Sequence, residues 1–524
     1  MLASIVLSSK KRDKEGSILK ILKDLVDFLK LPSAAHFQNI EVSRLCIDSR
    51  KITPGAVFCA LKGDDFDGHD FISQALKKGA VAILVETMPG LTDDGPQNLY
   101  DKAFDLYGNK MIATAQIPIL VVPDLYRQIG HLADFFYDYP SKKLKVIGVT
   151  GTNGKTSITH YLAQYIHLMG QKSAVIGTVG NGIWGHLQEA TQTTPDVISL
   201  QEMLRDFVSQ GVEYVGMEVS SHALAQNRVD GIHFCTAIFS NLTQDHLDYH
   251  GDMPHYAEAK ARLFSWPDLK YAVINHDDPY AAMMVSYCGP KTQCFLCSDR
   301  VHEAPFYFAS EIKHTDLGQH FMFYTARGQA EIKTQLLGEF NVGNLVLSMT
   351  ALMALGFDLN LLARLSVFVR PVIGRMETLR RPGLPLIVID YAHTPDALEK
   401  VLKSLQLYHK TLWVVFGCGG DRDRGKRPQM AKIAEYYADQ VMVTEDNSRF
   451  EKIEDIFSEI RAGFCYPDQM TFIADRTQAI YATLKRAQPE DIVLLAGKGH
   501  ETYLDKQGVK QSYDERSVVA GFMA

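Results

Sequence analysis

The sequence has no surplus of positive charge. Its 54 Lys and Arg stand against 61 Asp and Glu, for a net charge of −7, which argues against a general nucleic-acid binder. Acidic substrates must therefore be met by local basic sites. No apolar run approaches the roughly 20 residues that a membrane-spanning helix needs. Residues 1–14 carry a short apolar patch and then a charged run, without the core and cleavage site of a signal peptide, so a cytoplasmic enzyme is the default. Eight cysteines are scattered along the chain. Cys294 and Cys297, with Cys288 and His302 nearby, have something of a zinc spacing, but no second pair follows at finger distance, and reduced, partly buried thiols are the plainer reading. At 524 residues, with 46% hydrophobic and 22% charged, the chain is a soluble globular protein of two to four domains.

What is present is organised around residues 148–156, Gly-Val-Thr-Gly-Thr-Asn-Gly-Lys-Thr. An apolar run (144–147) precedes it and reads as a buried strand. A helical stripe of Ile158, Leu162 and Ile166 follows. Strand, glycine-rich turn and helix are what a phosphate chain needs. Backbone N–H groups point inward, the helix N-terminus adds positive potential, Lys155 reaches the terminal phosphates and Thr156 can hold Mg²⁺. The common form of this loop has glycine where Val149 stands, so an ordinary glycine-rich turn is the alternative.

Before the loop, residues 1–40 read as amphipathic helix with Leu19, Leu22, Leu25, Val26 and Leu29. Strands are expected at 56–61 and 80–85. The Asp48-Ser49-Arg50 turn and the 63–71 loop could grip a polyanion or sugar, or be plain turns. Residues 88–115 read as a surface insertion, and 139–143 as a linker. After the loop, a strand is expected at 173–177 and a turn at 180–182. The apolar strand 212–219 carries Glu218, which could complete Mg²⁺ coordination beside a phosphate loop or simply face solvent. The next strand runs into 241–250, dense in ligand-type side chains including His246. Lys260 on the following helix reads, alone, as a solvated lysine. Residues 294–337 read as β-hairpin material. Asn341 and Asn344, one helical turn apart, could read a purine edge.

The pattern restarts near residues 370–377. Strands at 385–390, 411–416, 440–444, 470–474 and 491–496 alternate with helices beginning near Asp396, Arg427, Lys452 and Arg476. That is a doubly wound unit with a mostly parallel sheet, whose ligands sit beyond the carboxyl ends of the strands. Four polar loops fall there, at 390–395, 417–427, 445–449 and 497–501.

Taken together, Thr-Gly-Thr-Asn-Gly-Lys-Thr (150–156), Met-Glu-Val-Ser-Ser-His (217–222), Asp-His-Leu-Asp-Tyr-His-Gly (245–251) and Gly-Lys-Gly-His-Glu (497–501) resemble the Mur ligases of peptidoglycan synthesis. The resemblance runs from Asp48 to Glu501 and is weak at 1–40, 88–115 and 280–330. It implies an α/β protein of three domains: a small N-terminal UDP-substrate-binding domain (1–141), a central parallel-sheet ATPase domain (142–374) and a C-terminal Rossmann-like amino-acid-binding domain (375–524). It implies that Ile47, Ser49, Asp64, Asp65, Phe66, Gln192, Thr193, Thr194, Ser220, Gln226 and Arg228 hold the UDP-muramoyl-dipeptide. ATP would meet Gly151, Thr152, Asn153, Gly154, Lys155, Thr156, Ser157, Asn341 and Arg375. Thr156, Glu218, His246 and Lys260, the last as a CO₂-derived carbamate, would form a two-Mg²⁺ site, with Lys155, Lys260, Glu218 and His246 catalytic.

The implied reaction is ADP-forming addition of meso-diaminopimelate to the D-Glu side-chain carboxylate through an acyl phosphate. Arg422, Asp446, Asn447, Ser448, Arg449, Gly497 and Glu501 would read the incoming amino acid. Diaminopimelate has a distal carboxylate that L-lysine lacks, and Arg449 offers a guanidinium fork for it. Ser448 departs from the usual Asp-Asn-Pro-Arg of that motif. The alternatives are the lysine-adding ligase, a folylpolyglutamate synthase, which lacks the UDP domain, and a phosphate-loop kinase or regulatory ATPase. Small-molecule substrates, no nucleic acid, no membrane span and a monomeric state are expected.

Overall fold

The computed structural model describes residues 19–31, 39–63, 66–86, 117–190, 192–300, 307–315 and 318–522. Asp64, Asp65, His302, the whole 88–115 insertion and the charged run before Leu19 lie outside the described residues.

Among the described residues three large sheets carry the chain, each with its own core, beside two two-stranded ones. The first is parallel, in the order Arg44–Cys46, Ala56–Ala60, Ala82–Glu86, Ile119–Val122. Its strands are apolar on both faces, as parallel strands covered on both sides must be. The described part of the 1–40 segment is only partly helical. Leu22–Phe28 is a helix, but Lys20–Ile21 is a strand pairing with Glu41–Val42. The helix Leu125–Phe136 lays its apolar stripe on this core and meets the second sheet unit at Gly130, where an added Cβ would lie 2.4 Å from the Asp230 carbonyl oxygen.

The central sheet has ten strands. The phosphate-loop strand, Lys145–Thr150, lies between Tyr214–Glu218 and Phe234–Phe239, parallel to both. This placement brings the carboxyl ends of three strands to one spot. Beyond them the sheet continues in parallel through Tyr271–Asn275 and Gln293–Ser298. It then turns antiparallel in Tyr307–Thr315, Gly318–Thr325 and Gly328–Thr334. The expected hairpin is thus Tyr307–Thr334, and Gln293–Ser298 belongs instead to the parallel part. The expected turn at 180–182 runs instead into a short antiparallel strand, Asn181–Ile183, that closes the other edge.

The third sheet runs Glu377–Leu379, Leu386–Asp390, Ile492–Ala496, Leu412–Phe416, Gln440–Val443, Thr471–Phe472. All its pairs but the first are parallel, and helices lie on both faces. It is the doubly wound unit expected, with strand ends within a residue or two. Gly374 lies tight against this unit: a Cβ there would lie 2.2 Å from the Gly499 carbonyl carbon and the His500 nitrogen.

Candidate active site

The glycine-rich turn folds as a cradle. Gly151 and Gly154 have φ of +149° and +87°, and a Cβ at either would collide, with Ser240 Oγ (2.0 Å) and Asn344 Oδ1 (2.7 Å) respectively. Only glycine lets the backbone approach its neighbours this closely. The helix Lys155–Leu168 starts directly after Gly154, so its free N–H groups face the turn. Lys155 Nζ donates to the Gly151 and Thr152 carbonyl oxygens at 2.9 and 3.0 Å. Burial lowers its ammonium from the ordinary value, against an opposing pull from Glu218.

Lys260 is not solvated. It is 1% exposed, its Nζ donates to the same Gly151 oxygen at 2.9 Å, and it lies 4.6 Å above the Tyr256 ring. Among the described residues no carboxylate pairs with it. Burial, with Lys155 adding to it, pushes its ammonium well below the ordinary lysine value. The sequence missed this because the Gly151 carbonyl that takes its ammonium is remote along the chain, and Tyr256, one helical turn away, gives no sign of burial by itself. Glu218 is likewise fully buried rather than solvent-facing, and it accepts from Thr178 N (2.9 Å) and Thr178 Oγ1 (3.1 Å). Nothing in the sequence singled out Thr178 or Tyr256.

His246 holds φ +53° and places Nε2 3.3 Å from Asp245, with its ring 4.8 Å from that of His222. Burial lowers the pKa of both imidazoles, to about 4 for His222. Among the described residues no three His, Cys, Asp or Glu side chains form a metal cluster by themselves. The eight cysteines are free thiols.

The residues expected around the dipeptide converge on Glu218 from the other side. Thr194 Oγ1 donates to the Glu218 carbonyl at 2.9 Å and meets Ser220 Oγ at 3.3 Å. Thr193 Oγ1 meets Thr178 Oγ1 at 3.1 Å. Arg228 donates to Gln192 (3.1 Å), to the Thr194 carbonyl (3.3 Å) and to Gln226. In the first sheet unit Ser49 bonds Gln74 at 2.8 Å, Ile47 packs at the edge of the core, and Phe66 is 74% exposed.

Of the residues expected to meet ATP, Asn341 is buried and its amide is engaged by Tyr161 (3.0 Å), Asn344 (3.1 Å) and the Leu337 carbonyl (2.8 Å). In this state the amide pins the start of its own helix. Arg375 lies 4.7 Å over the Tyr391 ring, and its buried Nε has no partner among the described residues. Asn153 and Thr243 both reach Asp396 of the third sheet unit at 3.4 Å.

The remaining loops meet beyond the third sheet. Asn447 joins them: its Nδ2 donates to Glu501 Oε2 (2.9 Å) and its Oδ1 accepts from Lys498 Nζ (3.0 Å) and Asp505 N (2.8 Å). Lys498, quoted in the motif but given no role from sequence, is buried and also bonds Glu501 at 2.5 Å. Asp446 is buried 3.7 Å from Lys498, and a Cβ on Gly497 would press on it at 2.8 Å. Arg449 has φ +49° and is tethered by Nη1 to the Gly420 carbonyl at 2.7 Å. Ser448 is buried beside it, its carbonyl against Gly420. Arg422 stands apart and exposed.

A glycine-rich cradle beside a buried glutamate and lysine, with a cluster of charged loops on a separate sheet that touches the cradle, suits one kind of chemistry: activation of an acid by ATP and its capture by an amine. The class of protein that fold and site define is an ATP-dependent amide ligase. The chain belongs to the Mur ligase family. Residues 41–137 match the Mur ligase family catalytic domain, 149–352 the Mur ligase middle domain, and 374–499 the Mur ligase glutamate ligase domain. It is similar to the UDP-N-acetylmuramoyl-L-alanyl-D-glutamate--2,6-diaminopimelate ligase of Haemophilus ducreyi, with 41% identity over 96% of this chain and 100% of that one. The enzyme of the same name from Chromobacterium violaceum is 42% identical, over 92% and 94%. A solved ligase of this name superposes with a TM-score of 0.69 at 35% identity, covering 97% of this chain and 99% of its own.

Proposed function

We propose that the chain joins meso-diaminopimelate to the D-Glu side-chain carboxylate of UDP-N-acetylmuramoyl-L-alanyl-D-glutamate, forming ADP and phosphate in the cytoplasm, with the work divided among domains 1–141, 142–374 and 375–524. The observation that carries this reading is the loop pair around Asn447. One loop fixes a guanidinium (Arg449) and the other a carboxylate (Glu501), one charged reader for each kind of group on a zwitterionic amino acid.

The 151–157 turn is assigned the ATP phosphates. Lys155 then leaves the Gly151 carbonyl for the phosphate oxygens, and Arg375, whose Nε lacks a partner, joins it. The D-Glu carboxylate attacks the terminal phosphorus and ADP departs. The amine of the incoming residue attacks the resulting acyl phosphate, and phosphate leaves. Lys155 and Arg375 spread the developing charge, and closure between the central and C-terminal domains excludes water. The 192–194 segment, Ser220, Gln226 and Arg228 would hold the dipeptide, with Ile47, Ser49 and the 64–66 loop on the UDP end.

The donor set suits Mg²⁺. Thr178 orients both Glu218 oxygens and leaves lone pairs for a cation, and His246 is held neutral by burial. Bound Mg²⁺ would neutralise phosphate charge. Two ammonium groups on the Gly151 oxygen, with no carboxylate partner for Lys260 among the described residues, favour an uncharged Lys260 amine. That is the form which adds CO₂ to give a carbamate, turning a cation into an oxygen ligand. The test is steady-state ADP release with ATP, Mg²⁺ and the UDP-dipeptide, adding diaminopimelate or lysine, with the product weighed by mass spectrometry. No amino-acid-dependent ADP release rejects the ligase, and a preference for lysine rejects the Arg449 assignment.

A further inference from the structure

The two loops that meet at Asn447 leave strands that are not neighbours. Gln440–Val443 and Ile492–Ala496 are separated by Leu412–Phe416, so their ends start roughly 10 Å apart. One buried side chain joins them. Arg476, first residue of the helix Arg476–Arg486, donates through Nη1 to the Glu445 carbonyl (3.1 Å) and through Nη2 to the Ala496 carbonyl (2.8 Å). These carbonyls immediately precede Asp446 and Gly497. The remaining edge of the guanidinium meets Glu515, with Nε 2.7 Å and Nη2 2.6 Å from Oε1. Neither side chain has any exposed surface.

Glu515 opens the C-terminal helix Glu515–Phe522. The next residue, Arg516, donates to the Gly499 carbonyl at 3.2 Å and reaches Glu377 at 3.5 Å. The start of this helix therefore grips the 497–501 loop twice, once directly and once through Arg476. A fully buried ion pair adds little net stability over a well-packed apolar pair. Its distinct contribution here is geometric: a planar fork with fixed donor directions sets two carbonyls at one separation, which a lysine's point charge cannot do.

We propose that Arg476, held by Glu515, is the positioning residue of the amino-acid site, fixing the spacing between Asn447 and Arg449 on one loop and Glu501 on the other. The proposal rests on the assignment of those loops to diaminopimelate. Substrate affinity is then sensitive to a residue that never touches substrate.

The experiment compares Arg476→Lys and Glu515→Gln with the wild-type chain, measuring KM separately for diaminopimelate, ATP and the UDP-dipeptide, and the melting temperature. Lysine keeps the charge and loses the fork. The expected result is a diaminopimelate KM raised roughly tenfold or more, as for loss of a charged hydrogen bond, with the other two KM values within about twofold. Glu515→Gln keeps an accepting oxygen and is expected to shift the same KM in the same direction by less. It carries the test alone if the lysine variant does not fold. An unchanged diaminopimelate KM, or an equal change in all three, with or without a lowered melting temperature, overturns the proposal. Absence of diaminopimelate-dependent turnover in the wild-type chain would instead remove the assignment beneath it.

Discussion

Arg449→Lys separates charge from geometry at the proposed amino-acid site. The backbone at 449 is held at φ +49°, its N–H on the Asp505 carbonyl (2.9 Å) and its carbonyl on the Gln507 N–H (2.7 Å). Arginine and lysine bear the same strain there, so the exchange adds none. Nη1 is tethered to the Gly420 carbonyl (2.7 Å), with a longer contact to the Asn447 carbonyl (3.5 Å), which leaves Nε and Nη2 for a carboxylate. Lysine keeps the positive charge and loses the two-pronged contact, a difference of about one charge-assisted hydrogen bond, or roughly 1.5–2 kcal/mol. That corresponds to a 10- to 30-fold rise in KM, by about 1.4 kcal/mol per decade. The assay is initial-rate ADP release against diaminopimelate at saturating ATP and UDP-dipeptide. We expect the KM to rise by that factor, kcat to stay within a fewfold, and the KM for ATP to stay fixed. L-lysine has no distal carboxylate, so any turnover with it is expected to be spared. A diaminopimelate KM within twofold of wild type, or an equal loss with lysine, would refute the role of the fork.

Lys260→Gln is expected to cut turnover at least about 100-fold through loss of charge stabilisation. Wild-type activity is expected to fall in CO₂-depleted buffer and return with bicarbonate, a response the variant lacks; near-normal turnover of the variant removes the carbamate. Gly154→Ala places a Cβ 2.7 Å from Asn344 Oδ1 at φ +87° and is expected to cost about 1–3 kcal/mol, read by urea unfolding, and to raise the ATP KM at least severalfold. His160 is buried edge-on to Trp184, and burial lowers its pKa to about 3. Its folded value lies below the unfolded 6.5, so the unfolded chain takes the extra proton and stability falls as pH drops from 6.5 toward 3, by up to about 4 kcal/mol. His160→Phe should flatten that part of an unfolding-midpoint-versus-pH curve; an unchanged slope would show that His160 is not its source.

The doubly wound third unit was legible because each of its strands is a short apolar run punctuated by polar loops, a local signal. The phosphate turn was legible for the same reason. Glu218 was readable as a candidate Mg²⁺ ligand from its place at a strand end beside the phosphate loop, but its burial was not; Lys260 stands on an unremarkable helix, and its burial against the Gly151 carbonyl is a tertiary fact. Thr178 escaped altogether, since a lone threonine before a short strand carries no pattern until Glu218 is folded against it. The strand Gln293–Ser298 was grouped with the hairpin after it because a short apolar strand does not announce whether its partner is parallel. Arg476 was noted only as a helix start; its grip on two carbonyls is a tertiary fact.

The central claim is that the phosphate released by the 151–157 turn goes to a carboxylate. Oxygen-18 placed in both oxygens of the D-Glu side-chain carboxylate tests it directly. Passage through an acyl phosphate predicts that each turnover gives inorganic phosphate carrying one labelled oxygen, with the other retained in the new amide. Unlabelled phosphate, with both labels left on the glutamate, would contradict it and point to transfer to water or a hydroxyl.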